Sequence, residues 1–307
     1  MFGSGVLSVI GGTGNPDYTD NGTPRATPDY GWISPALWND LKNGTNLSGA
    51  NAQNWSLAQD RAKIQAIANG SQPAPEKLAM IAPAFLGTQY MRDGVNTDPA
   101  TYAPFQVPPL ATSPTLSEMT LAALAVLGTN PKGFYLSSEG GAVDRAMHLN
   151  NLGSMIEEQI DFENAVRDVV DWVNRPDTAA DWSNTLLVVT ADHDHNLYGP
   201  DGATVPFQPL VDNGPGNLPG HRWFGPTHSN NLVPLFAYGK GADQIIGMAD
   251  RYDTYTDAQG RTFGRGWYTD QTELGNYLIA QQVPEPATAA LLGLGLAALV
   301  GARRAAR

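Results

Sequence analysis

Three acids and three histidines stand close together in a chain that has only five histidines and no cysteine. In "SSEGGAVDRAMHLNN", Glu139, Asp144 and His148 follow one another quickly. Asp144 and His148 are four apart, so one helical turn puts carboxylate and imidazole on the same face. Zinc accepts both ligand types, although the pair taken alone reads more simply as a surface ion pair. In "TLLVVTADHDHN", residues 185–196, an apolar and β-branched run delivers Asp192, His193, Asp194 and His195. His228 follows in "GPTHSNNLVPLFAYG". Together, Glu139, Asp144 and Asp192 with His148, His193 and His228 shift the reading towards divalent metal. The chemistry is that of a hydrolase with one or two ions. A pair of ions about 3.5–4 Å apart clamps a phosphoryl group and activates a nucleophile.

Those residues need elements to hold them. "TLSEMTLAALAVLGTNPKG" has Thr115 and Glu118 spaced as a capping box, then an apolar helix closed by Gly128, Asn130 and Pro131. "GFYLSSEGG" predicts a short buried strand over 133–138. "NLGSMIEEQIDFENAVRDVVDWVN" predicts a long amphipathic helix with Ile156, Ile160, Val166, Val169, Val170 and Val173 inward and acids outward. A strand starts at Thr185 and another lies near 230–242. Helix, strand, helix, strand implies an α/β fold with a mainly parallel sheet. In such sheets ligands sit beyond the carboxyl ends of the strands, which is where Glu139, Asp192 and His193 fall. Residues 13–112 read as loop-rich, with "NLSGANAQNWSLAQDRAKIQAIANGSQ" as a modest helix followed by a polar loop, and Asp17, Asp20 and Asn21 as an ordinary acidic turn.

Bulk properties narrow the classes. The net charge of −12 over 307 residues disfavours a nucleic-acid partner. A small anionic substrate then needs local positive charge, most simply bound cations. Without cysteine, zinc is held by His, Asp and Glu alone. The 33 glycines and 23 prolines imply long irregular insertions.

"NPKGFYLSSEGGAVDRAMH", "TLLVVTADHDH" and "THSNNLVPLFAYG" resemble three successive motifs of the alkaline phosphatase family, over roughly residues 114–242. The resemblance implies a central, mainly parallel sheet between helices. It implies hydrolysis of a small phosphomonoester through a phosphoserine, with two zinc ions and one magnesium ion. Carried over by position, Asp144, His148 and His228 match the ligands of one zinc. Asp192 and His193 match two ligands of the second, and Glu139 matches a magnesium carboxylate. His195 matches a supporting position beside the first zinc. Asp194 is expected to bond a backbone group rather than a metal, and His221 to be a loop histidine. Arg145 takes no phosphate-binding role, because the family's arginine lies elsewhere. Many family members are dimers, so a homodimer is an expectation.

The chain's two ends carry further expectations. "VPEPATAALLGLGLAALVGARRAAR" is similar to the PEP-CTERM sorting signal of Gram-negative bacteria: a PEP turn, an apolar segment at 287–302 and a basic tail with Arg303, Arg304 and Arg307. It implies an exosortase-type partner, export to the periplasm or cell surface, and membrane association through that segment. The expected division is 1–282, a partial alkaline-phosphatase-like domain, and 283–307, the signal. "MFGSG" resembles an internal family segment. No Asp-Ser pair occurs, so the family's nucleophile motif and the aspartate shared between its second zinc and its magnesium are missing. The chain is therefore expected to be N-terminally truncated, with no catalytic serine to assign, weak zinc binding, little or no turnover and poor folding. The alternatives are a non-catalytic exported surface protein on the same scaffold, or a related metal phosphodiesterase. A sulfatase fits poorly, since there is no cysteine for its modified nucleophile.

Overall fold

The computed structural model describes residues 7–44, 55–92, 101–195, 197, 210–256, 260 and 262–282. Three strands, β1 (Ser8–Gly12), β2 (Ser56–Ala58) and β3 (Lys77–Ile81), form a parallel sheet in the order β1-β3-β2. Val9 lies opposite Leu78, and Leu57 opposite Ala79. Alternate side chains leave opposite faces of a strand, and helices cover both faces here. Leu78 and Met80 pack with Ile64 and Ile67 of α2 (Arg61–Ala68) and with Met119, Ala122, Ala123 and Val126 of α3 (Leu116–Leu127). On the other face, Ala79 meets Trp38 and Leu41 of α1 (Pro35–Asn43), with Leu57 and Ile81 beside them. Each large apolar side chain fully buried in this way contributes about 1.5–3 kcal/mol. The architecture is α/β, a parallel sheet between helices. β2 and β3 lie inside the stretch that reads as loop-rich and β1 just before it, because three- and five-residue strands between turn-rich segments leave little periodicity.

The expected acidic turn is structural. Asp17 accepts from Trp38 Nε1 at 3.0 Å and Lys42 Nζ at 3.1 Å, and Asp20 accepts from the Phe85 and Leu86 amides.

The helix at 116–127 starts as its sequence predicts. Thr115 accepts from the Glu118 amide, and Glu118 accepts from the Thr115 amide. Arg61 ties α2 to α3 through Glu118 at 2.8 Å. At the other end, a Cβ on Gly128 would stand 2.7 Å from Trp172, so glycine there lets α5 (Leu152–Val173) approach.

Segment 133–138 forms no strand, is largely exposed and is unpaired with any strand among the described residues. This corrects the buried strand expected there, since a strand needs a ladder partner as well as apolar residues. The buried face of α5 differs too. Glu157 and Glu158 are buried, while Ile160 is 39% exposed. Glu157 turns inward because Arg92, itself buried, pairs with it at 2.6 Å, and Tyr102 Oη donates to it at 2.7 Å. Gly153 permits this contact, as a Cβ there would clash with the Tyr102 carbonyl oxygen at 2.1 Å.

The short helix α4 (Ala142–His148) precedes α5. Asn150, at φ 54°, makes the turn between them, a conformation that asparagine tolerates. Then come β4 (Leu186–Val189), the two-residue strands β5 (Asp194–His195) and β6 (His228–Ser229), and β7 (Phe236–Gly239). β4 pairs antiparallel with β7, and β5 with β6. A parallel arrangement is what the motif region predicts. The antiparallel one still serves the site, because Val189 at the end of β4 lies opposite Phe236 at the start of β7. The residues after β4 and those before β7 therefore meet at one edge.

The described chain falls into two compact units, one comprising the residues up to Lys240 together with the Thr256–Arg261 segment, the other running from Gly241 to Tyr255 and on from Thr262. The second contains α6 (Ala242–Gly247), the paired strands β8 (Arg251–Thr256) and β9 (Thr262–Tyr268), and α7 (Gln271–Gln282). Among the described residues, no helix is long and apolar enough to cross a membrane. The apolar segment 287–302 and the basic tail lie outside the described residues.

Candidate metal centre

Asp144 is the hub. It sits in the first turn of α4, with His148 one turn later on the same face. The helix is anchored by packing on α5 and by Tyr90 Oη, which donates to the Arg145 carbonyl oxygen at 3.4 Å. Four imidazole Nε2 atoms surround Asp144 Oδ1: His195 at 2.7 Å, His228 at 3.0 Å, His148 at 3.4 Å and His193 at 3.8 Å. The His193 and His228 rings stack with centroids 3.5 Å apart. Potential ligand atoms of Asp144, His193, His195 and His228 all lie within 4.8 Å of one another.

Counting protons identifies what such a cluster lacks. His148 Nδ1 lies 2.7 Å from the Pro226 carbonyl oxygen, which only accepts, so Nδ1 carries the proton. In a neutral ring, His148 Nε2 then presents a bare lone pair to His228 Nε2 at 3.0 Å and to the Asp144 carboxylate. His228 Nε2 is also 3.0 Å from Asp144 Oδ1, and one N–H cannot point both ways. A cation satisfies Asp144, His148 and His228 at once, and a carboxylate with two imidazoles is a normal zinc donor set. The residues fit a divalent metal.

His195 plays a different part in this geometry. Its Nε2 is close enough to Asp144 Oδ1 to donate the proton, leaving Nδ1 buried without a partner among the described residues. A ring that donates to a ligand orients it. Burial, opposed by Asp144, holds the His195 pKa below its ordinary value. Burial also raises the Asp144 carboxyl. The hydrogen bond from His195 and the nearby imidazoles outweigh that effect, and the group sits below the usual carboxylate range. Both groups are thereby kept in the forms that metal binding requires.

The other expected site residues are spread more widely. Asp192 is 84% exposed at its side chain and reaches His193 Nε2 at 3.3 Å, outside the inner cluster. Glu139 is exposed beside Gly141, and no hydrogen bond or ion pair joins it to the cluster among the described residues. His221 stays in its loop, 2.9 Å from the Pro219 carbonyl oxygen. Asp194 bonds two side chains, Ser229 and Asn231, in place of the backbone group expected. The Pro226 carbonyl, Ser229 and Asn231 were not singled out in the sequence. Their only signal is proximity to His228. The arginines near the front of the chain serve structure: Arg61 pairs with Glu118, Arg92 with Glu157, and Arg25 donates to the Tyr18 carbonyl oxygen.

Residues 6–214, more than half of the chain, match the alkaline phosphatase family, and residues 282–305 match the PEP-CTERM protein-sorting motif. The chain is 26% identical to alkaline phosphatase of Escherichia coli K12 over 218 residues, 67% of this chain and 45% of that protein. It is 27% identical to alkaline phosphatase H of Pseudomonas aeruginosa over 219 residues, 67% of this chain and 44% of that one. It thus spans less than half the length of these relatives. A magnesium-bound mutant of TAB5 alkaline phosphatase aligns with a TM-score of 0.43 at 16% identity, over 78% of this chain and 67% of that one.

Proposed function

The chain belongs to the alkaline phosphatase family, and from that premise we propose that the Asp144 cluster is the divalent-metal centre of a phosphomonoester hydrolase. The carrying observation is the convergence of His148, His195 and His228 on one carboxylate oxygen, with the His148 proton committed to Pro226. Asp144, His148 and His228 are the ligands of one zinc, and His195 orients Asp144. His193 with Asp192 makes part of a second zinc site, and Glu139 is a carboxylate for magnesium. When bound, such ions stabilise charge on a phosphoryl group and activate the attacking oxygen.

The chain's own residues hold the rest of the chemistry. Asp144 stays ionised, His148 keeps its Nε2 lone pair inward, and the stacked His193 and His228 rings wall one side of the site. With no Asp-Ser pair in these 307 residues, turnover of a phosphate ester by this chain alone is expected near background. The sorting motif at 282–305 supports export and handling by an exosortase-type enzyme.

Binding of inorganic phosphate separates this reading from a scaffold without a functional centre. We expect saturable phosphate binding, followed by equilibrium dialysis, when zinc and magnesium are present and none after chelation. Binding indifferent to metal, or none with metal, contradicts the reading.

A further inference from the structure

The route by which His228 reaches Asp144 is unusually slight. β5 and β6 contribute two residues each, joining chain segments 34 residues apart in the Asp194–His228 sense, and a ladder that short is marginal by itself. Its antiparallel register sets His195 opposite His228 and Asp194 opposite Ser229. Successive side chains leave opposite faces. One face of the ribbon therefore carries both histidines onto Asp144, and the other carries Asp194 and Ser229 away from it.

On that outer face the contacts converge again. Ser229 Oγ donates to Asp194 Oδ2 at 2.6 Å, and Asn231 Nδ2 donates to the same oxygen at 3.2 Å. The Asn231 amide donates to Ser229 Oγ at 3.2 Å. A carboxylate accepting two hydrogen bonds makes a charge-assisted contact, stronger than a neutral pair. Both donors lie within three residues of His228.

We propose that Asp194 is a positioning residue, clasping Ser229 and Asn231 so that the His228 ring is held over Asp144 before metal arrives. The proposal rests on the metal-centre reading and adds a determinant of its affinity. Asp194 touches no residue of the inner cluster through its hydrogen bonds, so its effect passes through the ribbon. Without the clasp, metal must order the 228–231 segment as it binds, and affinity falls.

The test uses the full 307-residue chain and zinc alone, with affinity from competition against a chromophoric chelator. Cobalt absorption reports ligand geometry, and far-UV circular dichroism reports folding. Asp194→Ala is expected to weaken zinc binding about 10–100-fold, the range for an outer-shell partner, and to weaken the visible cobalt bands. Ser229→Ala is expected to move both in the same direction by less, with circular dichroism unchanged. The double variant is expected to lose less than the sum of the two losses, since both remove one contact. If Asp194→Ala fails to fold, Ser229→Ala decides: a weakened, spectrally altered centre supports the clasp, and an unaltered one overturns it. Equal affinity and equal cobalt spectra in the unaltered and Asp194→Ala chains overturn the clasp and leave the metal centre standing. No zinc bound by the unaltered chain overturns the metal-centre reading and the clasp with it.

Discussion

One oxygen of Asp144 faces four imidazole nitrogens within 3.8 Å, and that crowding sets the cost of changing it. Asp144→Asn keeps the size of the side chain and removes its charge. It is expected to lower zinc affinity more than about 100-fold, beyond the loss usual for an outer-shell partner, in a chelator-competition titration. His195→Ala leaves the proposed ligands in place and is expected to lower affinity about 10–100-fold, as loss of an orienting hydrogen bond does. Unchanged affinity in either variant contradicts the assigned role. Much of this site is legible in the sequence. Asp144 and His148 stand one helical turn apart, and Asp192 and His193 end an apolar run, so local periodicity brings each pair into view. The proton bookkeeping is not legible. It depends on the Pro226 carbonyl, which lies 78 residues from His148 and carries no residue-specific signal.

At the level of elements, α5 shows where pattern and packing part. Its sequence offers isoleucines and valines for burial, yet Glu157 and Glu158 face inward. Arg92, the long-range partner of Glu157, sits in a turn-rich stretch that periodicity does not connect to a helix 65 residues later. Breaking a buried pair leaves an uncompensated charge, so Glu157→Ala is expected to cost about 3–5 kcal/mol in denaturant unfolding. Glu158 behaves differently. Burial, with Asp161 and Glu157 nearby, pushes its pKa up to about 8. The folded state thus holds a proton that the unfolded chain releases near its ordinary value of about 4.3. The resulting stability is full below about pH 4.3, falls progressively as the pH rises and is gone above about pH 8, a loss of a few kcal/mol in order of magnitude. Unfolding curves at pH 6 and pH 9 check this. The unaltered chain is expected to weaken at pH 9, while Glu158→Gln shows a flatter dependence. Equal pH dependence in the two chains contradicts it. By contrast, α3 was readable from its ends, because the capping box of Thr115 and Glu118 is a local contact.

Across the whole molecule, a net charge of −12 surrounds a site proposed to receive an anion, and bound cations are what reconcile the two. The α/β class was readable from the order of elements. The particular sheet was not: β1, β2 and β3 are short strands of a turn-rich region, and β4 and β7 pair antiparallel where a parallel ladder was expected. Metal binding also links to folding. Zinc at 100 times its dissociation constant is expected to stabilise the folded chain by about 2.7 kcal/mol, visible as a higher melting temperature that chelation reverses. The most direct test is a zinc isotherm by titration calorimetry, comparing the unaltered chain with the His148→Ala/His228→Ala double variant. The account predicts saturable binding of at least one zinc per chain, lost in the double variant. No saturable binding by the unaltered chain, or the same isotherm for both, contradicts it.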